Sequence, residues 1–182
     1  MSMESELIEL KREIPLSEFV KTCVDIPRFA ACCAECPGFG KRWACPPYDF
    51  DPADIWSAYS SILLLAEKVV IPEHERRVDD ARAAYEELLK PVKRKLMDEL
   101  YELEKATPGS LALSAGGCDV CAVCTRPEGK PCRFPEKKRC SIESIGGDVA
   151  GCLGKYFGES VLWAENGLLP EHFIIVGALL KK

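Results

Sequence analysis

The residues with the most chemistry in this chain are its cysteines, eleven among 182 residues. They fall in two groups. Cys23, Cys32, Cys33, Cys36 and Cys45 form the first; Cys118, Cys121, Cys124, Cys132 and Cys140 form the second, with Cys152 trailing. The second group opens Cys118-Asp-Val-Cys121-Ala-Val-Cys124, and Cys132 follows after seven further residues. Cysteines at that spacing let a tight loop turn around one face of a cubane cluster, so that each thiolate reaches a different iron and a more distant cysteine closes the cage. A single zinc ion more often draws on two separated C-x₂₋₄-C pairs, and no second pair of that kind follows here. The pattern therefore favours an iron–sulfur cluster of the 4Fe-4S type over zinc, and places a redox dithiol below both. Spacing alone leaves Cys140 as an alternative to Cys132.

The first group reads Cys32-Cys33-Ala-Glu-Cys36-Pro-Gly-Phe-Gly-Lys-Arg-Trp-Ala-Cys45-Pro-Pro. Cys36 and Cys45 are each followed by proline, which lacks an N–H and holds the preceding residue extended, turning the chain away from a ligated sulfur. A second cluster can draw on Cys33, Cys36 and Cys45, with Cys23 or Cys32 as its fourth ligand. Adjacent Cys32 and Cys33 cannot easily both ligate one cube, so one of them packs as a small hydrophobe. Trp43, Phe39 and Tyr48 are available to shield the site. One or two clusters per chain are expected. Cys140 and Cys152 are among the cysteines left over, Cys152 as a buried helix residue.

The chemistry that is absent narrows the field. No P-loop, GxSxG or dinucleotide fingerprint is present, and Gly38-Phe39-Gly40 opens no helix after a strand. His74 and His172 stand outside any ligand-like spacing and read as surface or structural. Glu143 and Asp148, just past the second group, read as helix caps rather than proton carriers. The net charge is −5, which argues against nucleic-acid binding, since that binding works through Lys and Arg displacing counterions. Around Cys132, however, lie Lys130, Arg133, Lys137, Lys138 and Arg139. Such a patch beside an anionic cluster would stabilise it and could steer an acidic electron-carrier protein to it. No apolar run approaches the ~20 residues that span a bilayer. The N-terminus carries acids and no apolar signal region, so the expected compartment is the cytoplasm, where a disulfide framework is not expected.

Scaffold must position these loops. A single compact α+β domain over 1–182 is expected: a small mixed sheet packed by helices, with cysteine group one at 23–47, a helix-and-strand scaffold at 51–115 and cysteine group two at 116–152. Asp51-Pro52 predicts a short helix to about residue 60. Ile62–Ile71 reads as a buried strand, and 73–105 as helix, kinked or divided at Pro91. Leu111–Ala115 and Phe173–Leu180 read as further strands, with Gly116-Gly117 delivering the first into the cysteine loop. A helix capped by Ser141 is predicted to run to about Phe157. Gly116, Gly117 and Gly129 would let amides turn toward the sulfurs.

Three blocks carry a resemblance: Cys36-Pro-Gly-Phe-Gly-Lys-Arg-Trp-Ala-Cys45-Pro-Pro; Gly116-Gly117-Cys118-x₂-Cys121-x₂-Cys124; and Cys132-Arg-Phe-Pro with Ser141-Ile-Glu-Ser-Ile-Gly-Gly-Asp-Val. Together they resemble a prokaryotic family of predicted metal-binding proteins, a domain of unknown function. The family form is usually Cys-Pro-x-Tyr-Gly, and Phe39 replaces the tyrosine here. The resemblance implies metal binding, with iron–sulfur the leading candidate, and supplies no reaction. The leading expectation is an electron-transfer or redox-accessory module. The alternatives are a cluster enzyme with one open iron acting on a small molecule, and a zinc-stabilised interaction protein.

Overall fold

The computed structural model describes residues 6–182. In chain order the elements are β1 (Glu6–Pro15), α1 (Leu16–Cys23), α2 (Ile26–Ala34), α3 (Pro52–Ser57), β2 (Ser61–Val70), α4 (Ala81–Ala106), β3 (Leu111–Leu113), α5 (Val149–Phe157) and β4 (His172–Lys181). The strands form one sheet in the order β1-β2-β4-β3. Every pairing is antiparallel, where a mixed sheet is expected from the sequence. No pair of strands here needs the right-handed helical crossover that parallel neighbours require.

The two inner strands pair from Ser61 against Lys181 to Val70 against His172. Their side chains alternate between two apolar layers, as the strand period of two dictates. Ile62, Leu64, Val176, Ala178 and Leu180 meet Phe19 of α1, Trp56 of α3 and Leu153 of α5. On the other face Leu65 and Leu179 meet Leu96, Met97 and Leu100 of α4. Helices on both faces explain why β2 and β4 are apolar almost throughout. Gly177 fits this scheme, because a Cβ there would stand 2.6 Å from Leu100 Cδ1.

Strand β1 is not apparent from sequence. Glu6, Glu9, Lys11, Arg12 and Glu13 give it the look of a solvated segment, yet it pairs along all of β2. Charge on an edge strand discourages further strands from adding to it. Helix α2 is also absent from the sequence reading, although its signal is the one that identifies α3. Asp25 caps α2 by accepting from Arg28 N at 3.1 Å, with Pro27 in the first turn, just as Asp51 caps α3 ahead of Pro52.

Helix α4 runs unbroken through Pro91, with Leu89 packed on one side and Leu96 to Leu100 on the other. The packing carries it past the one missing hydrogen bond. Helix α5 begins at Val149 under an Asp148 cap that accepts from Gly151 N at 2.8 Å, rather than at Ser141. Gly146 separates the two, at a φ of 99° and pressed on Ile26. The segment before it makes a 3₁₀ turn at Glu143–Ile145, which packs against α2. Among the described residues no helix is long and apolar enough to cross a membrane.

One buried charge sits in the sheet. Glu67 is 1% exposed, with Oε2 unpartnered and Lys95 Nζ 3.4 Å from Oε1. Burial raises its pKa above the ordinary 4.5, and Lys95 pulls the other way. A raised carboxyl pKa means that stability is fullest below the ordinary value and falls as pH climbs through the raised one. Glu67→Gln is therefore expected to add about 1 kcal/mol at neutral pH and to flatten the dependence of stability on pH above 4.5. Denaturant titrations of both proteins at acidic and neutral pH test this; a glutamine variant weaker at neutral pH would show that the Lys95 contact outweighs burial.

Candidate metal centre

The cysteine loops are built by short turns and then tied to each other. In the first, Cys36 N donates to Cys33 O at 3.0 Å, Gly40 N to Pro46 O at 2.8 Å and Cys45 N to Arg42 O at 3.0 Å. The second leaves β3 and returns where Ser114 N donates to Cys140 O at 2.8 Å. Inside it, the buried Thr125 donates its hydroxyl to Pro131 O at 2.8 Å. Four side chains cross between the loops or brace them. Arg126 Nη1 donates to Arg42 O at 2.8 Å and also to Cys45 O, while Nη2 donates to Pro47 O. Arg42 Nη1 donates to Cys118 O at 2.9 Å, and Trp43 Nε1 to Lys130 O at 3.0 Å. From α4, Lys93 donates to Gly117 O and stands 3.2 Å from Asp119 Oδ2. A Cβ on Gly117 would lie 2.8 Å from Arg42 Nη1, so the Arg42 side chain passes directly over this glycine.

Cys118, Cys121, Cys124 and Cys132 all line one small pocket of about 20 Å³. Trp43, Val120 and Phe134 wall it, and Arg42 and Lys138 bring positive charge to it. Every cysteine of the chain is a free thiol. Burial pushes the Cys118 thiol up; an amide of Val120 opposes this, and Asp119, Cys121 and Cys132 push further upward. The amides turned on sulfur are thus those of Val120 and, in the first loop, Gly38, which donates to Cys36 Sγ at 3.5 Å. Cys140 lies outside this pocket, hydrogen-bonded to Tyr48 and close enough to both Cys118 and Cys45 to be felt by each. Among the described residues no group of three or more His, Cys, Asp or Glu side chains is drawn tightly enough to grip a single ion.

In the first group, Cys36 and Cys45 flank Gly38. A Cβ there would lie 3.5 Å from Cys45 Sγ and 3.7 Å from Cys36 Sγ. Burial raises the Cys45 thiol, Arg42 opposes it, and Cys36 and Cys33 add to the rise. Cys33 stands beside Cys36, Glu143 and Cys32. Cys32 is exposed on α2.

Cys23 lies apart from the other candidate ligands. It is 2% exposed, packed in the core with Phe19, and it neighbours Cys152. Leu16, Phe19 and Cys23 are the buried stripe of α1, at the i, i+3, i+7 spacing of an amphipathic helix, and that signal was available in the sequence. Cys152 is wholly buried on α5, and burial pushes its thiol up to about 12. Cys23→Ala is expected to cost about 1 kcal/mol of stability and to leave the metal content unchanged. Metal analysis beside a melting curve checks this, and a loss of metal would return Cys23 to the ligand set.

The basic run divides. Arg139 turns inward to a bifurcated pair with Glu104, whose Oε1 also accepts from Ala112 N at 2.7 Å. It is therefore structural, not part of an exposed patch. Lys130 pairs with Glu128 at 2.7 Å, and Arg133 donates to Val123 O at 2.6 Å. Lys137 is exposed and Lys138 half-buried at the pocket. His74 is exposed, and His172 is buried with Nε2 3.1 Å from Ser160 O. Glu143 does not cap a helix; its Oε2 is buried without a partner, and burial raises its pKa. Sequence reasoning also gave no role to Arg42, Lys93 or Arg126, because a cross-loop bond leaves no local pattern.

Fold and loops together define a cysteine-rich α+β protein with a thiol-lined pocket. It belongs to the family described as Predicted metal-binding protein (DUF2284), which matches residues 20–180. No curated protein and no solved structure matches it.

Proposed function

We propose that this protein carries an iron–sulfur cluster on Cys118, Cys121, Cys124 and Cys132, with a second thiol site at Cys33, Cys36 and Cys45, and that it serves as an electron-transfer or redox-accessory module. The observation that carries this reading is the convergence of four free thiols on one pocket. The donor set is all sulfur, with no imidazole or carboxylate among the lining residues, which suits soft metals and clusters. One tetrahedral zinc would draw its sulfurs to about 3.8 Å from each other, from Zn–S bonds of about 2.3 Å; a cube with iron at alternate corners holds its thiolates wider apart. A cluster bound there would supply one-electron chemistry. Arg42 and Lys138 offset thiolate charge, while Trp43, Val120 and Phe134 keep water away.

Electrons would leave across the exposed face of the second loop. Val123 is 67% exposed and Phe134 40%; Arg133 donates to Val123 O, and Lys137 is exposed in the turn that follows Phe134. Exposed apolar side chains with cations close by suit an acidic carrier protein. The closing test is iron, acid-labile sulfide and zinc per chain after anaerobic purification, with spectra before and after reduction. About four irons and four sulfides per site are expected; zinc without sulfide would replace this reading by the zinc-stabilised interaction protein.

A second reading has its own support. With Cys23 in the core, the first site has three gathered thiols, and Cys33 and Cys36 face a large open cleft. A metal held by three thiolates keeps a position for a small molecule, which is the arrangement of an enzyme.

A further inference from the structure

A cleft of about 1050 Å³ lies beside β4, and no part of the electron-transfer reading uses it. It exists because β3 is short. Leu111–Leu113 covers only Ala178–Leu180, so β4 from His172 to Gly177 has no strand on that side. Helix α4 closes the cleft from one face of the sheet; α2, α5 and the segment 159–163 close it from the other. Its volume is at the upper end of small-molecule sites, roughly 300–1,000 Å³.

The lining has a definite chemistry. Phe29, Leu89, Leu162, Trp163, Phe173 and Val176 form apolar walls. Trp163 lines the cleft and is 69% exposed. Apart from Glu143, the charged side chains are matched within the protein: Arg28 with Asp148, Lys90 with Glu86, Lys93 with Asp119, and Glu159 with Lys68. A wall whose charges are already paired offers no excess of either sign to an ionic ligand. Cys32, Cys33 and Cys36 line it as well, and near Cys33 stands Glu143, the one lining carboxyl that has a buried oxygen without a partner.

We propose that this cleft is a binding site for a neutral, ring-bearing, largely apolar small molecule, whose single hydrogen-bonding group lies at the Cys33–Glu143 end. The aromatic walls supply the affinity through burial of apolar area. The Glu143 carboxyl sets the orientation, meeting the polar group once the ligand has displaced water from the floor. This placement rests on the cleft and stands whichever metal the thiols hold. It deepens the enzyme reading, since it brings the polar end of the ligand beside the three gathered thiols.

The protein can be tested as purified anaerobically, with 2-naphthol as a neutral probe and 2-naphthoate as its charged counterpart. Saturable binding of 2-naphthol by calorimetry is expected, with a change in tryptophan emission that Trp163→Phe removes. The anion is expected to bind at least about tenfold more weakly, a difference of about 1.4 kcal/mol. Gly154 lies on the cleft wall, and a Cβ there meets only Glu159 O at 3.9 Å, so Gly154→Leu fills the cleft without strain. It should weaken 2-naphthol by about tenfold or more while leaving metal content and circular dichroism unchanged; Ala150→Trp, from the same wall, serves if the leucine variant misfolds. Glu143→Gln should keep the probe bound with the spectrum of the metal centre no longer perturbed by it. Absence of saturable binding, equal affinity for the anion, or full affinity in a folded cleft-filling variant would each overturn the proposal. Metal analysis of the same samples separates that failure from failure of the metal reading.

Discussion

Cys121→Ser is expected to strip the second pocket of its metal. Cys121 is one of four thiols that share this pocket, and its charge is felt at Cys118. A thiolate is a soft ligand that forms readily when metal displaces its proton; a serine hydroxyl holds its proton at neutral pH and offers a hard oxygen in its place. Losing a residue that merely supports a ligand typically costs 10–100-fold in metal affinity, so loss of a ligand itself should exceed about 100-fold. Burial pushes the Cys118 thiol toward its neutral form, so the free energy of binding must also deprotonate it. Iron, sulfide and zinc per chain, measured beside the unaltered protein and beside Cys23→Ala, read the outcome. Full retention of metal by Cys121→Ser would remove the pocket from consideration as the site.

Arg126→Ala should damage both cysteine sites with a single change, although Arg126 touches no sulfur. Its guanidinium donates to the carbonyls of Arg42, Cys45 and Pro47 and lies 5.4 Å from the ring centre of Trp43. These are charge-assisted bonds of about 1.5–3 kcal/mol each, and water can restore part of what alanine removes. A net loss of about 3 kcal/mol in docking one loop on the other is the reasonable scale. Arg42 and Trp43 would then be free to leave Cys118 O and Lys130 O, opening the wall of the second pocket as the turn at Cys45 loosens. Lysine is expected to fail almost as badly, because one ammonium cannot reach three carbonyls in the forked geometry. Metal content and hydrogen-exchange protection across 36–47 and 118–132 should fall together in both variants. Loss confined to one loop would show that the two sites are mechanically independent.

Much of the scaffold is legible because its signals are local. The apolar runs at 62–71 and 173–180 and the Asp51-Pro52 cap each act within a few residues, and β2, β4 and α3 fall where they indicate. The elements missed are those whose residues look solvated or already assigned. β1 hides under its charge, and α2 is concealed by cysteines read as loop. The same local logic explains why the core position of Cys23 was not apparent, since counting thiols ignores which face of a helix each occupies.

Residue types and spacing by themselves determined that this chain carries two sets of sulfur donors, because C-x₂-C-x₂-C confines three thiols to one turn of chain whatever surrounds it. Tertiary structure alone decided that Cys132 rather than Cys140 shares the pocket with them, that Cys23 belongs to the core, and that Arg42 and Arg126 bind the two loops into one unit. Those outcomes depend on contacts between residues some 80 positions apart, and the free energy of such contacts is set by burial and hydrogen-bond geometry that no short window of sequence contains.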